Sequence, residues 1–171
     1  KEFLIRKAKN GEKVVDLHNV SYTLSGGEPV IDNGSGTIID LPGIIGTANS
    51  VVNDHTKNIL FFMETNDPMQ IRKASMGLGI RTTAATLNEK GLDPELAPLA
   101  LSRGVSLLTK SGGTIDSTIF DYYPKPFQKR TLSIPRARIE KYIGEDISNE
   151  ELVQILTSLD FKPVISKTTV T

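Results

Sequence analysis

The chain has 171 residues, 20 Lys+Arg balanced by 20 Asp+Glu, two His and no Cys. Without Cys there is no disulfide scaffold, no thiolate chemistry and none of the strongest zinc ligands. Zero net charge argues against a generic polyanion binder. The apolar runs are too short to span a membrane, and no charged segment followed by an apolar one forms a leader. The composition is that expected of a cytosolic soluble protein with one domain, or one and part of a second. The chain begins at Lys1 and ends in Val170-Thr171 with no stop signal, which reads as a piece excised from something larger.

The first forty residues read as strands. Phe3 to Ile5 and Val14 to Leu17 flank Asn10-Gly11, a two-residue turn signal that predicts a hairpin between them. Ser25-Gly26-Gly27-Glu28 and Asp32-Asn33-Gly34-Ser35-Gly36 mark two further turns, and Thr37 to Ile39 starts the next strand. Asn58 to Glu64 is a continuous apolar run, predicted to be a strand buried on both faces. Asp67-Pro68 opens a helix with Asp as N-cap and Pro at the first helical position. Met69, Ala74, Met76 and Leu78 form its predicted buried side, and Gly77 and Gly79 stop it. Thr82 to Lys90 is a short helix closed by Gly91. Asp93-Pro94 opens the longest helix, running to about Lys110, with Leu96, Leu99, Ala100, Val105, Leu107 and Leu108 as its apolar face. Ile115 to Tyr123 returns to strand.

Pro124-Lys125-Pro126 is stiff and extended. It places a domain boundary over 124–128, between a first domain at 1–123 and the start of a second at 129–171. The second domain opens with a strand over Arg130 to Ile134 and a helix from Pro135 to about Ile143. Ser148 with Glu151 three residues on is a capping box for a further helix. A last strand begins near Lys162.

The sequence carries few motifs of chemistry. There is no Walker loop, no complete dinucleotide fingerprint, no nucleophile elbow and no His-Glu-x-x-His. His18 and His55 stand in polar surroundings and read as exposed. Charge is uneven near the end: Lys125, Lys129, Arg130, Arg136, Arg138 and Lys141 face one acid, Glu140. The stretch from Glu145 to Asp160 then carries acids only. These read as two solvated faces or as a small basic surface for RNA.

The middle of the chain carries a specific string. It includes Pro42-Gly43-Ile44-Ile45-Gly46, Asn53-Asp54, Asp67-Pro68, Ile71-Arg72, Gly79-Ile80, Thr82-Thr83-Ala84 and Glu89-Lys90-Gly91-Leu92-Asp93-Pro94. It resembles the editing region of the bacterial phenylalanyl-tRNA synthetase beta chain, most clearly over 42–113, and residues 130–166 resemble that family's next domain. The resemblance implies an α+β fold, a mixed or antiparallel sheet with packed helices, followed by the start of a small winged-helix-like domain. It implies a ligase subunit that helps join phenylalanine to tRNA(Phe) with ATP and magnesium. An alpha subunit would partner it in a heterotetramer in the cytoplasm. No membrane or DNA partner is expected, and this region itself binds no cofactor or metal.

By the same resemblance this region hydrolyses tyrosine wrongly attached to tRNA(Phe). Gly46, Thr82 and Ala84 fall on the family's pocket positions. The family's hydroxyl-reading Glu aligns without gaps with Phe62. The nearest acid is Glu64, on the same face of an extended chain but displaced by roughly 7 Å. The loop before Pro42 is shorter than the family's, and a further family residue, a His, lies upstream of Lys1. The expectation is therefore an editing region, weakly active or inactive as an isolated piece. The alternatives are an editing-inactive scaffold and RNA-binding module of the same synthetase, using Lys129, Arg130, Arg136 and Arg138, and a freestanding deacylase or amino-acid-binding protein.

Overall fold

The computed structural model describes residues 3–128 and 130–171. The chain divides into two units, Lys1–Tyr122 and Tyr123–Thr171. The first is a four-stranded antiparallel sheet with a two-stranded extension and helices following it in sequence. It is an α+β fold, as the sequence predicts.

The predicted hairpin across Asn10-Gly11 does not form. Strand β1 (Leu4–Lys7) pairs antiparallel with β4 (Pro29–Asp32), while β2 (Lys13–Val15) pairs with β3 (Ser21–Thr23). The two ladders are continuous. Ala8 N donates to Glu28 O at 2.8 Å, and Gly11 N and Leu24 N bridge the arms at 2.9 and 2.8 Å. Asn10-Gly11 is thus a bend in one arm of a single long hairpin. The turn at its tip is built by Asp16, whose Oδ1 accepts the amides of His18 and Val20 at 2.8 and 2.9 Å. Asn19 takes φ 63° there, a conformation Asn tolerates. The local turn signal was real, but the strand partners are decided by which faces reach the core.

Strand β5 (Ile38–Leu41) joins β4, and β6 (Ile45–Gly46) joins β5 with Asp40 opposite Gly46. Asp16 of the hairpin tip bridges to Thr47, and Leu17 N donates to Gly46 O at 3.1 Å, so the tip folds back on β6. Helix α1 (Pro68–Leu78) starts as predicted, with Asp67 Oδ1 accepting the amides of Met69 and Gln70 at 2.9 and 3.0 Å. Its buried face is Ile71, Ala74 and Ser75; Met69 and Met76 are exposed, a correction to the predicted side. Ile71 joins Leu24, Val30, Leu41, Ile44 and Ala85 in the core. Helix α2 (Thr83–Asn88) follows, and α3 (Leu96–Lys110) ends where its apolar period does.

Two predicted strands are absent. Residues 58–64 run as irregular chain, with Ile59, Leu60, Phe62 and Met63 exposed. Residues 115–123 are likewise irregular and exposed. A strand requires a hydrogen-bonding neighbour as well as composition, and among the described residues neither segment has one. Phe61 does find a seat: its ring lies over α3 at Gly104, where a Cβ would come within 2.3 Å of Phe61 Cζ.

The second unit holds α4 (Arg136–Ile143), α5 (Asn149–Ser158) and a two-stranded ladder, β7 (Ile134–Pro135) with β8 (Thr169–Val170). The strand predicted over 130–134 is confined to Ile134–Pro135, and the last strand starts later than Lys162. Ser148 Oγ accepts the amide of Glu151 at 3.1 Å, the cap the sequence predicts. The core is small: Ile147, Leu152 and Val170, with Ile139, Leu156 and Ile165 against it.

Candidate functional site

The Gly43–Gly46 turn, the N-terminus of α2 and the chain at 64–66 meet at one place in the first unit. Thr82 is the N-cap of α2, its Oγ1 accepting the amide of Ala85 at 3.0 Å. The same hydroxyl donates to Ile44 O at 2.6 Å, which locks the helix start to the turn. Gly46 is two residues from Ile44, so it lies within about 10 Å of that hydroxyl. Ala84 is exposed on the first turn of α2. Thr82→Val removes both bonds and strands a buried carbonyl; it is expected to cost about 2 kcal/mol in chemical denaturation. A cost below about 0.5 kcal/mol would mean the lock is idle.

Gly43 sets the floor of the cluster. Its φ of 67° is left-handed, and a Cβ there would stand 2.7 Å from Asn66 Nδ2 and 3.1 Å from Asn88 Cγ. Glu64 accepts from Asn66 Nδ2 at 3.2 Å and from the backbone of Gly43. Asn66 Nδ2 also reaches Asn88 Oδ1 at 3.4 Å. Burial raises the Glu64 carboxyl above its ordinary range against these donors. Asp40 faces Glu64, and its carboxyl is pushed up to about 7 by burial first and by the Glu64 charge second. Asp40 Oδ1 stands 3.8 Å from the place a Gly46 Cβ would occupy, and Leu17 Cδ2 stands 3.2 Å from it. A glycine at 46 permits this close approach of Leu17, which a methyl there would crowd.

Sequence reasoning named Gly46, Thr82, Ala84 and Glu64 here and missed Asp40, Asn66 and Asn88. Asp40 had a weak signal, as an acid between Ile39 and Leu41 in a strand next to the glycine turn. Asn66 and Asn88 had none, since only the fold brings them together. Phe62 is about half exposed on the irregular chain before Glu64.

Of the four basic residues predicted for RNA, Lys129 lies outside the described residues. Arg136 is engaged within its own unit. Its Nε donates to Glu140 Oε1 at 2.7 Å, and its other nitrogens donate to Asn149 Oδ1 and Ile147 O. Arg130 and Arg138 are exposed, and the Arg138 guanidinium lies 5.8 Å from the centre of the Tyr142 ring.

Among the described residues no group of three or more His, Asp or Glu could hold a metal ion. In the Gly34–Gly36 turn, Asp32 Oδ1 takes the amides of Gly34 and Gly36, and Asn33 Oδ1 takes those of Ser35 and Thr37. Those amides are not free to cradle a phosphate. Among the described residues no helix is long and apolar enough to cross a membrane.

These features define an α+β domain with a polar cluster walled by a glycine turn and a helix start. The B3/4 domain family matches residues 1–113, and the chain belongs to it. It is similar to the phenylalanine–tRNA ligase beta subunit of Fusobacterium nucleatum, 35% identical over 159 residues, which is 92% of this chain and 20% of that one. The beta subunit of Thermotoga maritima is 34% identical over 163 residues, 95% of this chain and 20% of its own length. That of Aquifex aeolicus is 31% identical over 163 residues, 92% and 20%. The chain spans about a fifth of the length of these curated relatives.

Proposed function

We propose that this chain is the editing region of a phenylalanine–tRNA ligase beta subunit, hydrolysing the ester of tyrosine on tRNA(Phe). The observation that carries the reading is the Thr82–Ile44 bond, which ties the α2 N-terminus to the Gly43–Gly46 turn; Asp40 lies opposite Gly46 in that turn, and Glu64 faces Asp40. Tyrosine exceeds phenylalanine by one hydroxyl, and an apolar pocket rejects an added hydroxyl only about a hundredfold. A second site with polar groups reads that hydroxyl directly, because phenylalanine leaves the same groups unpaired. Glu64 and the Asn66 and Asn88 amides are polar groups of this kind.

In this reading the first unit is the editing domain and the second is the start of a winged-helix-like domain. The alpha subunit and tRNA(Phe) are the partners, ATP and magnesium serve the intact enzyme elsewhere, and the setting is the cytoplasm. Arg130 and Arg138 supply a small RNA-facing charge. The test is hydrolysis of Tyr-tRNA(Phe) against Phe-tRNA(Phe). We expect the tyrosyl ester to be cleaved at least tenfold faster; equal rates for the two would refute selective editing. The second reading is an editing-inactive scaffold. The observation that favours it is Phe62 at the aligned acid position, and an inactive protein that still binds tRNA(Phe) would establish it.

A further inference from the structure

Ester hydrolysis needs a group to take a proton from the attacking water, and the reading above leaves that group unassigned. We propose that Asp40 is the general base of this site, a reading that rests on the editing function proposed above. Its carboxylate takes one proton from water as the water oxygen bonds to the ester carbonyl carbon. On collapse the carbon–oxygen bond to the ribose breaks, and Asp40 returns the proton to the departing ribose oxygen. The products are the free amino acid and an intact tRNA hydroxyl.

Position carries the assignment. Asp40 is the register partner of Gly46, and its Oδ1 lies 3.8 Å from where a Gly46 Cβ would stand. A carbonyl seated against Gly46 lies within reach of that oxygen, directly or through one water. Partnering is the second observation. Glu64 is held by Asn66 and Gly43, whereas among the described residues Asp40 has the amide of its neighbour Leu41 alone. Among the described residues no cation pairs with Asp40. A half-buried acid facing another acid, with no counter-charge, is a cost to the fold that structure alone does not account for.

Tuning is the third. A carboxyl near 7 is half ionised at neutral pH and returns a proton as readily as it takes one. The charged group that faces Asp40 is Glu64. Its register partners Ile31 and Gly46 carry no charge, nor does Leu17, whose side chain meets the Gly46 Cβ position beside Asp40.

The test is the pH dependence of Tyr-tRNA(Phe) hydrolysis by the whole chain, with circular dichroism as the check of folding. The wild-type rate is expected to rise through about pH 7 to a plateau. Asp40→Asn is expected to lower the plateau by about a hundredfold or more and to abolish the rise. Asp40→Glu is expected to keep the rise with a rate lowered about tenfold by misplacement. Glu64→Gln removes the facing charge and is expected to move the midpoint to lower pH. A wild-type profile in Asp40→Asn overturns the assignment of Asp40 and leaves editing standing. Should Asp40→Asn not fold, a wild-type rate in Asp40→Glu overturns it equally. Equal hydrolysis of tyrosyl and phenylalanyl esters overturns selective editing and leaves the base in place. No hydrolysis at any pH overturns both.

Discussion

Gly43→Ala is expected to destabilise the first unit by about 2–4 kcal/mol and to abolish the proposed Tyr-tRNA(Phe) hydrolysis. Two costs add. An L-residue at φ 67° pays roughly 1–2 kcal/mol for the left-handed conformation. The added methyl then stands 2.7 Å from Asn66 Nδ2 and 3.1 Å from Asn88 Cγ, an overlap worth about 1–3 kcal/mol. Relief requires Asn66 to move, and Asn66 is the donor that holds Glu64. The stability loss and the chemical loss therefore share one cause. A double-mutant cycle separates the terms. In an Asn66→Ala background the nearest clash is gone, so Gly43→Ala should cost about 1 kcal/mol less than in the wild type. Identical costs in both backgrounds, read by chemical denaturation, would place the whole effect in the backbone.

Arg136→Ala is expected to unfold the second unit and leave the first folded. Among its described residues this unit buries three apolar side chains, too few to tolerate a large loss. Arg136 joins the start of α4 to Glu140 on the next turn, to Asn149 on the first turn of α5, and to the carbonyl of buried Ile147. Hydrogen bonds to a charged group are worth about 1.5–3 kcal/mol, and removing the donor also strands the carbonyl. Arg136→Lys should not rescue, because an ammonium lacks the fork that reaches three acceptors at once. Amide hydrogen exchange distinguishes the outcomes. Protection should vanish over 136–158 and persist at Val30 and Ile71; retained protection in α5 would sink the prediction. If the unit melts, loss of tRNA binding in this variant reports folding and not a missing phosphate contact.

What the sequence disclosed was local. Asp67, Thr82 and Ser148 cap their helices through bonds that span only a few residues, and their chemistry is readable in any such window. Strand pairing was not readable. Asn10-Gly11 has the composition of a hairpin turn, yet the chain bends there without reversing, because the arms pair as β1 with β4 and β2 with β3. The apolar run at 58–64 misled for a related reason. Composition states that a segment prefers burial and is silent on whether a neighbouring strand exists. Gly46 and Thr82 were named by resemblance, and they do lie close together. Asp40 and Asn88 reach the same cluster from a strand and a helix far apart in the chain, a convergence that no periodicity encodes.

The bent hairpin also orders how the first unit can assemble. Its rungs run from Val15–Ser21 beside the tip, through Lys13–Thr23, to Lys7–Pro29 and Leu4–Asp32 at the open end. Each rung that closes shortens the loop the next must close, so the entropy of closure is spent in small instalments. The cheapest nucleus is the Asp16–Val20 turn, where three backbone groups already converge on one carboxylate or its carbonyl. Zipping from there delivers Val30 and Ile31 to the centre of the sheet before β5 must find them. The half of the chain with the longest-range pairings therefore forms through a series of short-range steps.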